Sequence, residues 1–174
     1  GEGIAGLIDR EVEHDRHGLP YLRGRTLKGL ITEETDNILF ALNRMSVGVA
    51  RWQTARTTLF GRPGSTAADR GRLRFGPAQL PEAVRDAVRD ANRLLVLDSL
   101  TVIRRQTAIE TEGERAGVPA EGSLRAMRVI LRRTPFEARL LSDDELSDDE
   151  LGLLAASVLA FRRAGTGRNR GRGK

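Results

Sequence analysis

The chain has 174 residues, with 29 Lys and Arg against 24 Asp and Glu, no Cys, and a formal net charge of +5. Its 39% apolar and 30% charged residues are typical of one folded domain and exclude a disordered or collagen-like chain. The lack of Cys excludes a disulfide scaffold, a zinc ribbon and a cysteine nucleophile, and it fits a reducing compartment. The longest apolar stretch, 151–161, is too short to cross a bilayer. With no export leader visible at the first residues, we expect a cytoplasmic protein with no membrane partner.

The first half of the sequence predicts one long helix between irregular segments. In chain order the predicted elements are a glycine-rich loop at 1–6, a short strand at 7–12, a turn-rich segment at 15–24, a helix from Leu27 to about Met45, and a loop at 60–77. The helix is predicted because apolar residues recur at helical spacing while polar residues occupy the other side. These apolar residues are Leu27, Leu30, Ile31, Ile38, Leu39 and Leu42.

The second half mixes helices and strands. In chain order we predict a helix at 80–93 with Pro81 at its first position, a segment at 94–105 that fits either a helix or a strand, a protruding loop or hairpin at 110–122, and strands at 124–131 and 136–141. The helix at 80–93 would bury a stripe of small and branched residues. The stripe consists of Ala83, Val84, Ala87, Val88 and Ala91.

The last predicted helix has the clearest signals at its ends. Ser147 and Glu150 have the spacing of a capping box at its start, and Gly165 would end it. Arg162 and Arg163 would lie in its last turn, where cations interact favourably with the helix dipole. The predicted buried stripe is Leu151, Leu154, Ala155, Val158 and Leu159.

Charge is unevenly distributed near the C-terminal end of the sequence. Six acids and no base occupy 142–150, whereas six cations and no acid occupy 162–174. These blocks nearly cancel, so the small net charge hides a strongly dipolar chain. A basic stripe of this kind is typical of nucleic-acid binding, and a disordered basic tail is the alternative.

The segment 20–29 brings glycine, hydroxyl and cationic side chains to a predicted loop-to-helix junction. Free backbone N–H groups at a helix start suit a phosphate, and Lys28, one turn further on, could reach the same anion. The candidate phosphate-binding residues are Gly24, Arg25, Thr26 and Lys28. The alternative is an ordinary helix start with Thr26 as its N-cap and a solvated Lys28.

The segment 165–174 alternates glycines with arginines. Glycines let a backbone approach a ligand closely, and arginines supply phosphate and base contacts. The candidate RNA-binding residues here are Gly167, Arg168, Asn169, Arg170 and Arg172. The spacing excludes a Walker-type nucleotide loop.

Acids and histidines cluster at 9–17. His14 and His17 could ligate a metal ion or share general acid–base work, but the sequence supplies no third ligand of known geometry. If 7–12 is a strand, Asp9, Glu11 and Glu13 lie on one of its faces. The alternative is a set of solvated side chains beside a basic surface.

Several of these segments, taken in order, resemble one family. The run Ile8-Asp9, Asp15, Gly18-Leu19-Pro20-Tyr21 and Thr26-Leu27-Lys28-Gly29 resembles the signature IDxxxxxDxxxGxPYIPGSSLKG of the RAMP superfamily, the RNA-binding proteins of CRISPR systems. The glycine-rich tail resembles the closing loop of that family. Smaller landmarks recur at 60–61, 74–76, 107–110, 122–125 and 134–136.

Within this superfamily the sequence is most similar to the backbone subunits of type III effector complexes. The resemblance implies an α+β fold: a ferredoxin-like (RRM-like) core with inserted helices and a protruding thumb hairpin at about 110–122. It implies a single RAMP domain over 1–174 that lacks the family's first and last strands, so the sequence would be part of a longer or fused chain. Arg25-Thr26 stands where the family usually has two serines.

The resemblance also implies a function and its residues. The chain would bind guide RNA, partly through Lys28, and cleave complementary target RNA as an endoribonuclease. Asp9 matches the catalytic acid and would bind a divalent metal ion, Mg²⁺ or Mn²⁺. Expected partners are guide RNA, target RNA, other CRISPR effector subunits and further RAMP domains in a filament.

Three other functions fit the same residues. The chain could be a scaffold with the same RNA contacts and no cleavage. It could be a guide-processing endoribonuclease that uses His14 or His17 as general base. It could also be an RNA-binding domain unrelated to CRISPR systems.

Overall fold

The computed structural model describes residues 8–62, 70–107 and 125–165. The chain divides into two compact units, of which the first contains Gly1–Tyr21 and Gln79–Phe136 and the second contains Leu22–Ala78 and Glu137–Lys174. The elements in chain order are α1 (Gly24–Arg44), α2 (Ala50–Phe60), β1 (Leu73–Phe75), α3 (Glu82–Ala87), α4 (Arg93–Leu100), β2 (Thr101–Gln106), β3 (Arg125–Ile130), β4 (Leu140–Ser142) and α5 (Asp148–Ala160). The predicted thumb at about 110–122 lies outside the described residues.

The second unit packs three helices and a short ribbon around one apolar core. Helices α1, α2 and α5 contact one another, and β1 pairs antiparallel with β4, from Leu73 opposite Ser142 to Phe75 opposite Leu140. The rings of Phe60 and Phe75 stack with their centres 6.1 Å apart. The buried core residues are Leu27, Ile31, Ala55, Leu59, Phe60, Leu73, Ala78 and Leu153.

The first unit is built on an antiparallel ribbon. Strands β2 and β3 pair over their full length, from Thr101 opposite Ile130 to Gln106 opposite Arg125. Arg10 forms a parallel bridge to Met127 on the other side of β3. A small core of Leu19, Leu80 and Val96 lies in the same unit.

The structure confirms the local signals that were strongest in the sequence. Along α1, Leu27, Leu30 and Ile31 are buried, and the helix ends at Arg44, where the apolar pattern fades. The Ser147 side chain accepts a hydrogen bond from the Glu150 N–H, and the Glu150 carboxylate accepts one from the Ser147 N–H, so the capping box is confirmed. The strand predicted at 124–131 is β3.

The prediction for the buried face of α5 is wrong except at Leu154, which is half-buried against the core. Leu153, Ser157 and Glu150 are buried, whereas Leu151 and Leu159 are exposed. Ser157 is accommodated because its hydroxyl donates to the Leu153 carbonyl at 2.7 Å and lies 2.7 Å from the Thr35 hydroxyl of α1. A hydroxyl that is hydrogen-bonded within its own helix can be buried at low cost, which periodicity of apolar residues does not detect.

Other boundaries also differ from the predictions. Helix α5 ends at Ala160, so Arg162 and Arg163 follow the helix and Gly165 does not end it. The predicted loop at 60–77 contains β1, and α2 was not predicted at all. The segment 94–105, predicted to be either a helix or a strand, contains both: α4 ends at Leu100 and β2 begins at Thr101. In the first unit α3 is only six residues long, shorter than predicted; Val84 within it and Val88 directly after it are half-buried.

Within the described ranges, every helix is too short or too polar to span a membrane.

Candidate RNA-binding and cleavage sites

The Asp9 carboxylate is exposed and is held by the backbone of β3. Its Oδ2 accepts a hydrogen bond from the Ala126 N–H at 2.6 Å, and its own N–H donates to the Ala126 carbonyl at 2.8 Å. The predicted strand 7–12 is represented, in the described residues 8–12, by the bridge of Arg10 to Met127. Among the described residues, Asp9 therefore lies at the edge of the sheet with one carboxylate oxygen fixed.

Arg128 ties the segment that follows Asp9 to the rest of the first unit. Its Nε lies 2.9 Å from Oε1 of Glu11, and its Nη1 donates to Asp98 at 2.7 Å and to Thr101 at 3.1 Å. Burial of the guanidinium lowers the pKa of Arg128, but the contacts with Asp98 and Glu11 raise it by more, so the pKa lies above its ordinary value. The guanidinium thus stays charged and links Glu11 to α4 and β2.

The remaining acid and histidines of this segment make local contacts. Oδ1 of Asp15 accepts hydrogen bonds from the N–H groups of His17 and Leu19, which closes a turn. His14 Nδ1 lies 3.1 Å from the Asp15 carbonyl oxygen, and His17 Nε2 accepts from Arg16. Across residues 8–62, 70–107 and 125–165, no three His, Asp or Glu side chains gather as a metal site would require.

In the second unit, α1 begins before Thr26. If Thr26 were the N-cap, the helix would begin three residues later, at Leu27. The helix starts at Gly24 with Arg23 as its N-cap, so the alternative assignment of Thr26 as N-cap is wrong. A side chain at Gly24 would collide with the carbonyl oxygen of Phe75, so this glycine lets the start of α1 pack closely on β1. Arg25 and Thr26 are exposed on the first turn.

Lys28 lies in an open groove of this unit beside the guanidinium of Arg56. Arg25, Lys28, Arg56 and Arg62 line the groove together with Glu33 and Asp36. Arg56 makes two hydrogen bonds to Asp36, of 2.9 and 3.1 Å, and these raise its pKa. Burial, and then the charge of Arg56, lowers the pKa of Lys28.

The Lys28 ammonium group has no hydrogen bond or ion pair to any residue in the described ranges, in contrast to Arg56. A half-buried cation next to a second cation is stabilised when an anion enters the groove. The anion offsets both the cost of burying the charge and the repulsion between the two cations. Sequence reasoning missed Arg56 as a groove residue. Its only signal would have been a prediction of α2, whose apolar pattern is weak.

The acidic segment at 142–150 is paired with arginines in the structure. In the second unit the acidic segment forms ion pairs with arginines outside the tail: Arg74 with Asp143 at 2.7 Å, Arg72 with Asp144 at 3.5 Å, and Arg51 with Asp149 at 3.6 Å. The tail candidates lie outside the described residues. These are Gly167, Arg168, Asn169, Arg170 and Arg172.

Comparison with known proteins identifies the family of this fold. A chain of the cryo-EM structure of the Type III-B Cmr-beta bound to cognate target RNA aligns with 99% of this chain and 89% of its own length, at 12% identity and a TM-score of 0.62, so the two share a fold. No curated protein sequence matches. The family model of the RAMP superfamily matches residues 3–174. Because this match covers nearly the whole sequence, the chain belongs to the RAMP superfamily.

Proposed function

We propose that this protein is a subunit of a type III CRISPR effector complex that binds guide RNA and cleaves complementary target RNA. The observation that carries the proposal is the RAMP match over residues 3–174. The shared fold with a Type III-B chain from a complex that holds target RNA supports the choice of complex. The partners that follow from this proposal are guide RNA, target RNA and other effector subunits.

A ferredoxin-like core is part of this proposal. In such a sheet the first strand lies parallel beside the third, and the third pairs antiparallel with the second. The parallel bridge of Arg10 to Met127 and the antiparallel pairing of β2 with β3 fit this order. The segment at 8–12 would then take the place of the first strand in the proposed core, in contrast to the expectation that the first strand is lacking.

Guide binding is assigned to the groove of the second unit. Lys28 lies one turn into a helix of 21 residues, near its N-terminus, where backbone N–H groups and the helix dipole favour an anion. Its ammonium group makes no hydrogen bond or ion pair with a side chain of the described ranges. These features support a phosphate contact by Lys28, with Arg25 at the groove wall.

Cleavage is assigned to Asp9. Of its two carboxylate oxygens, Oδ2 is fixed by the Ala126 N–H, and Oδ1 is the oxygen that would contact a substrate. RNA supplies its own nucleophile, since its 2′-oxygen can attack the adjacent phosphorus while the bond to the 5′-oxygen breaks. Asp9 would position the 2′-hydroxyl for this in-line attack, so no serine or cysteine nucleophile is required and DNA is not cleaved.

A divalent ion fits this site only with help from the substrate. Asp9 offers a single carboxylate, and Mg²⁺ is commonly held by one or two carboxylates together with substrate phosphates and water. Such an ion would offset the negative charge that develops on the phosphate. Asp9 is the residue of this chain that would hold it.

The test is cleavage of a guide-complementary RNA by the assembled complex with Mg²⁺ or Mn²⁺. Wild type should cut, and Asp9→Asn should not, although it keeps an oxygen that can accept from the Ala126 N–H. Target binding should be intact in this variant. Equal cleavage by wild type and Asp9→Asn would refute the assignment to Asp9.

The scaffold function is the second candidate. It is favoured by the engagement of one Asp9 oxygen in the sheet. It predicts target binding without cleavage in wild type and in Asp9→Asn alike. The same assay therefore separates the two functions.

Guide binding has its own test in the salt dependence of guide affinity. Lys28→Gln should reduce the slope of log affinity against log salt by about 0.7, the value for one phosphate contact on a single strand. Arg44→Gln removes the same charge at the far end of the same helix and should leave the slope unchanged. Equal slopes for wild type and Lys28→Gln would exclude a phosphate contact at Lys28.

A further inference from the structure

Arg105 of β2 lies on the same face of the sheet as Asp9, and the proposed function does not use it. In the register of the sheet Arg105 is opposite Ala126, whose N–H donates to the Asp9 carboxylate. Arg10 is bridged to Met127 on the other side of β3, so the residues that precede these two, Asp9 and Ala126, also lie side by side. Paired residues of neighbouring strands project from one face. Asp9 and Arg105 therefore flank Ala126 from its two sides on that face.

The Arg105 side chain is exposed and free to meet a ligand. It makes no hydrogen bond or ion pair with another residue of the described ranges. Arg128, two residues after Ala126, projects from the same face, but its guanidinium is already paired with Glu11 and Asp98. Of these two cations, Arg105 is the one whose charge is not offset by an acid of the described ranges.

The spacing across the sheet leaves room for one phosphate between the two side chains. Adjacent strands are about 4.8 Å apart, so the backbones at Asp9 and Arg105, on either side of β3, are about 10 Å apart. The long arginine side chain can donate two N–H groups to two oxygens of one phosphate. A phosphate whose neighbouring 2′-hydroxyl contacts Asp9 therefore comes within reach of Arg105.

We propose that Arg105 is a second catalytic residue, which stabilises the negative charge of the target phosphate during cleavage. As the 2′-oxygen bonds to phosphorus and the bond to the 5′-oxygen breaks, charge builds up on the non-bridging oxygens. The 2′-hydroxyl proton passes to solvent and the 5′-oxygen takes a proton from solvent, since a guanidinium keeps its own protons. A donor that already faces the developing charge lowers the barrier, and it also offsets the repulsion between the phosphate and the Asp9 carboxylate.

This inference rests on the proposed function, since it concerns the cleavage assigned to Asp9. The test is the single-turnover rate of target cleavage by the assembled, guide-loaded complex at saturating target. Arg105→Gln should slow cleavage by about 100-fold, the low end of the effect of losing one such donor, because the site is open to water. Arg105→Lys keeps the charge but not the paired N–H groups, so its rate should lie between those of wild type and Arg105→Gln.

Arg104 provides the matched control. It is the neighbour of Arg105 on β2, it is also exposed, and it lies opposite Met127 on the other face of the sheet. Arg104→Gln removes the same charge from the same strand and should cleave at the wild-type rate. Equal slowing in the two Gln variants, or no slowing in Arg105→Gln, would overturn the inference.

A sulfur substitution in the target separates charge stabilisation from a general loss of activity. Each non-bridging oxygen of the scissile phosphate is replaced by sulfur in turn, and sulfur is a weak hydrogen-bond acceptor. At the oxygen that Arg105 contacts, the substitution should slow wild type more than Arg105→Gln, which has already lost the contact. Equal slowing of the two proteins by both substitutions would contradict the contact.

The same measurements distinguish this inference from the proposed function. If wild type and Arg105→Gln cut equally fast, only the inference is overturned. If Arg105→Gln has a lower target affinity but the wild-type rate at saturating target, Arg105 is a binding residue and its catalytic role is refuted. If wild type binds the target and does not cut it, the proposed cleavage is refuted and the inference fails with it.

Discussion

Asp9→Ala is expected to weaken the fold as well as to remove a carboxylate. The Ala126 residue is 8% exposed, and its N–H donates to the Asp9 side chain at 2.6 Å. An unpaired buried N–H costs about 1–3 kcal/mol. Because Asp9 itself is exposed, water can partly replace its oxygen. We therefore expect a loss near the lower end, about 1 kcal/mol in the free energy of unfolding.

The assay is thermal unfolding of the chain, wild type against Asp9→Ala and Asp9→Asn. For a protein of this length, about 1 kcal/mol corresponds to a decrease of about 2–4 °C in the melting temperature. Asn keeps a side-chain oxygen at the same place and should lose less than half of that. Ala therefore removes a structural contact that Asn retains.

The comparison also decides which variant is informative for cleavage. If Asp9→Ala and wild type melt at the same temperature, the hydrogen bond to Ala126 contributes nothing and the reasoning is refuted. If Asp9→Asn is destabilised as much as Asp9→Ala, the neutral oxygen does not replace the carboxylate. If Asp9→Asn keeps most of the wild-type stability, as expected, its loss of cleavage shows that the carboxylate takes part in the reaction, since the structure around residue 9 is retained.

Three further predictions follow from the contacts of single side chains. Ser157→Leu should destabilise the chain by about 1–3 kcal/mol in chemical denaturation, since this position is fully buried, whereas Leu159→Ser, at a residue 77% exposed, should change stability by less than about 0.5 kcal/mol. Equal effects would contradict the packing of α5. Burial and the charge of Arg56 lower the pKa of Lys28 in the folded chain without RNA. Above that pKa the unfolded chain holds more protons than the folded one, so the free energy of unfolding should rise as the pH increases through it. A phosphate favours the charged form, so guide affinity should fall over the same pH range in wild type and stay level in Lys28→Arg; parallel pH profiles would exclude the contact. Arg128→Ala should cost about 2 kcal/mol through lost packing and hydrogen bonds, and unchanged denaturation would show that its contacts with Glu11 and Asp98 are dispensable.

Local signals in the sequence were reliable where short-range physics decides the structure. The capping box of Ser147 and Glu150 needs only residues three apart, and the core face of α1 follows from apolar residues at helical spacing. The α2 helix was missed because Arg, Gln and Thr interrupt its apolar pattern; it forms where Ala55, Leu59 and Phe60 pack into the core.

The candidate site was only partly predictable, because its contacts join residues that are far apart in the sequence. Asp9 was selected by its resemblance to a family motif and Lys28 by that resemblance and by its place at the predicted start of a helix; the structure adds their surroundings. The hydrogen bond of Asp9 to Ala126 spans 117 positions in the sequence, and Arg56 reaches Lys28 only because α1 packs against α2. No local pattern encodes contacts of this separation.

Patterns in the amino-acid sequence were enough to predict the family, the mix of helices and strands, the start of α5 and the apolar face of α1. The folded structure was needed to show which face of α5 is buried and which arginines pair with the acidic segment. Helix ends and periodic patterns depend on neighbours within one or two turns, so they can be predicted from the sequence. Register between distant strands and the burial of a hydroxyl such as that of Ser157 depend on partners brought together only by folding.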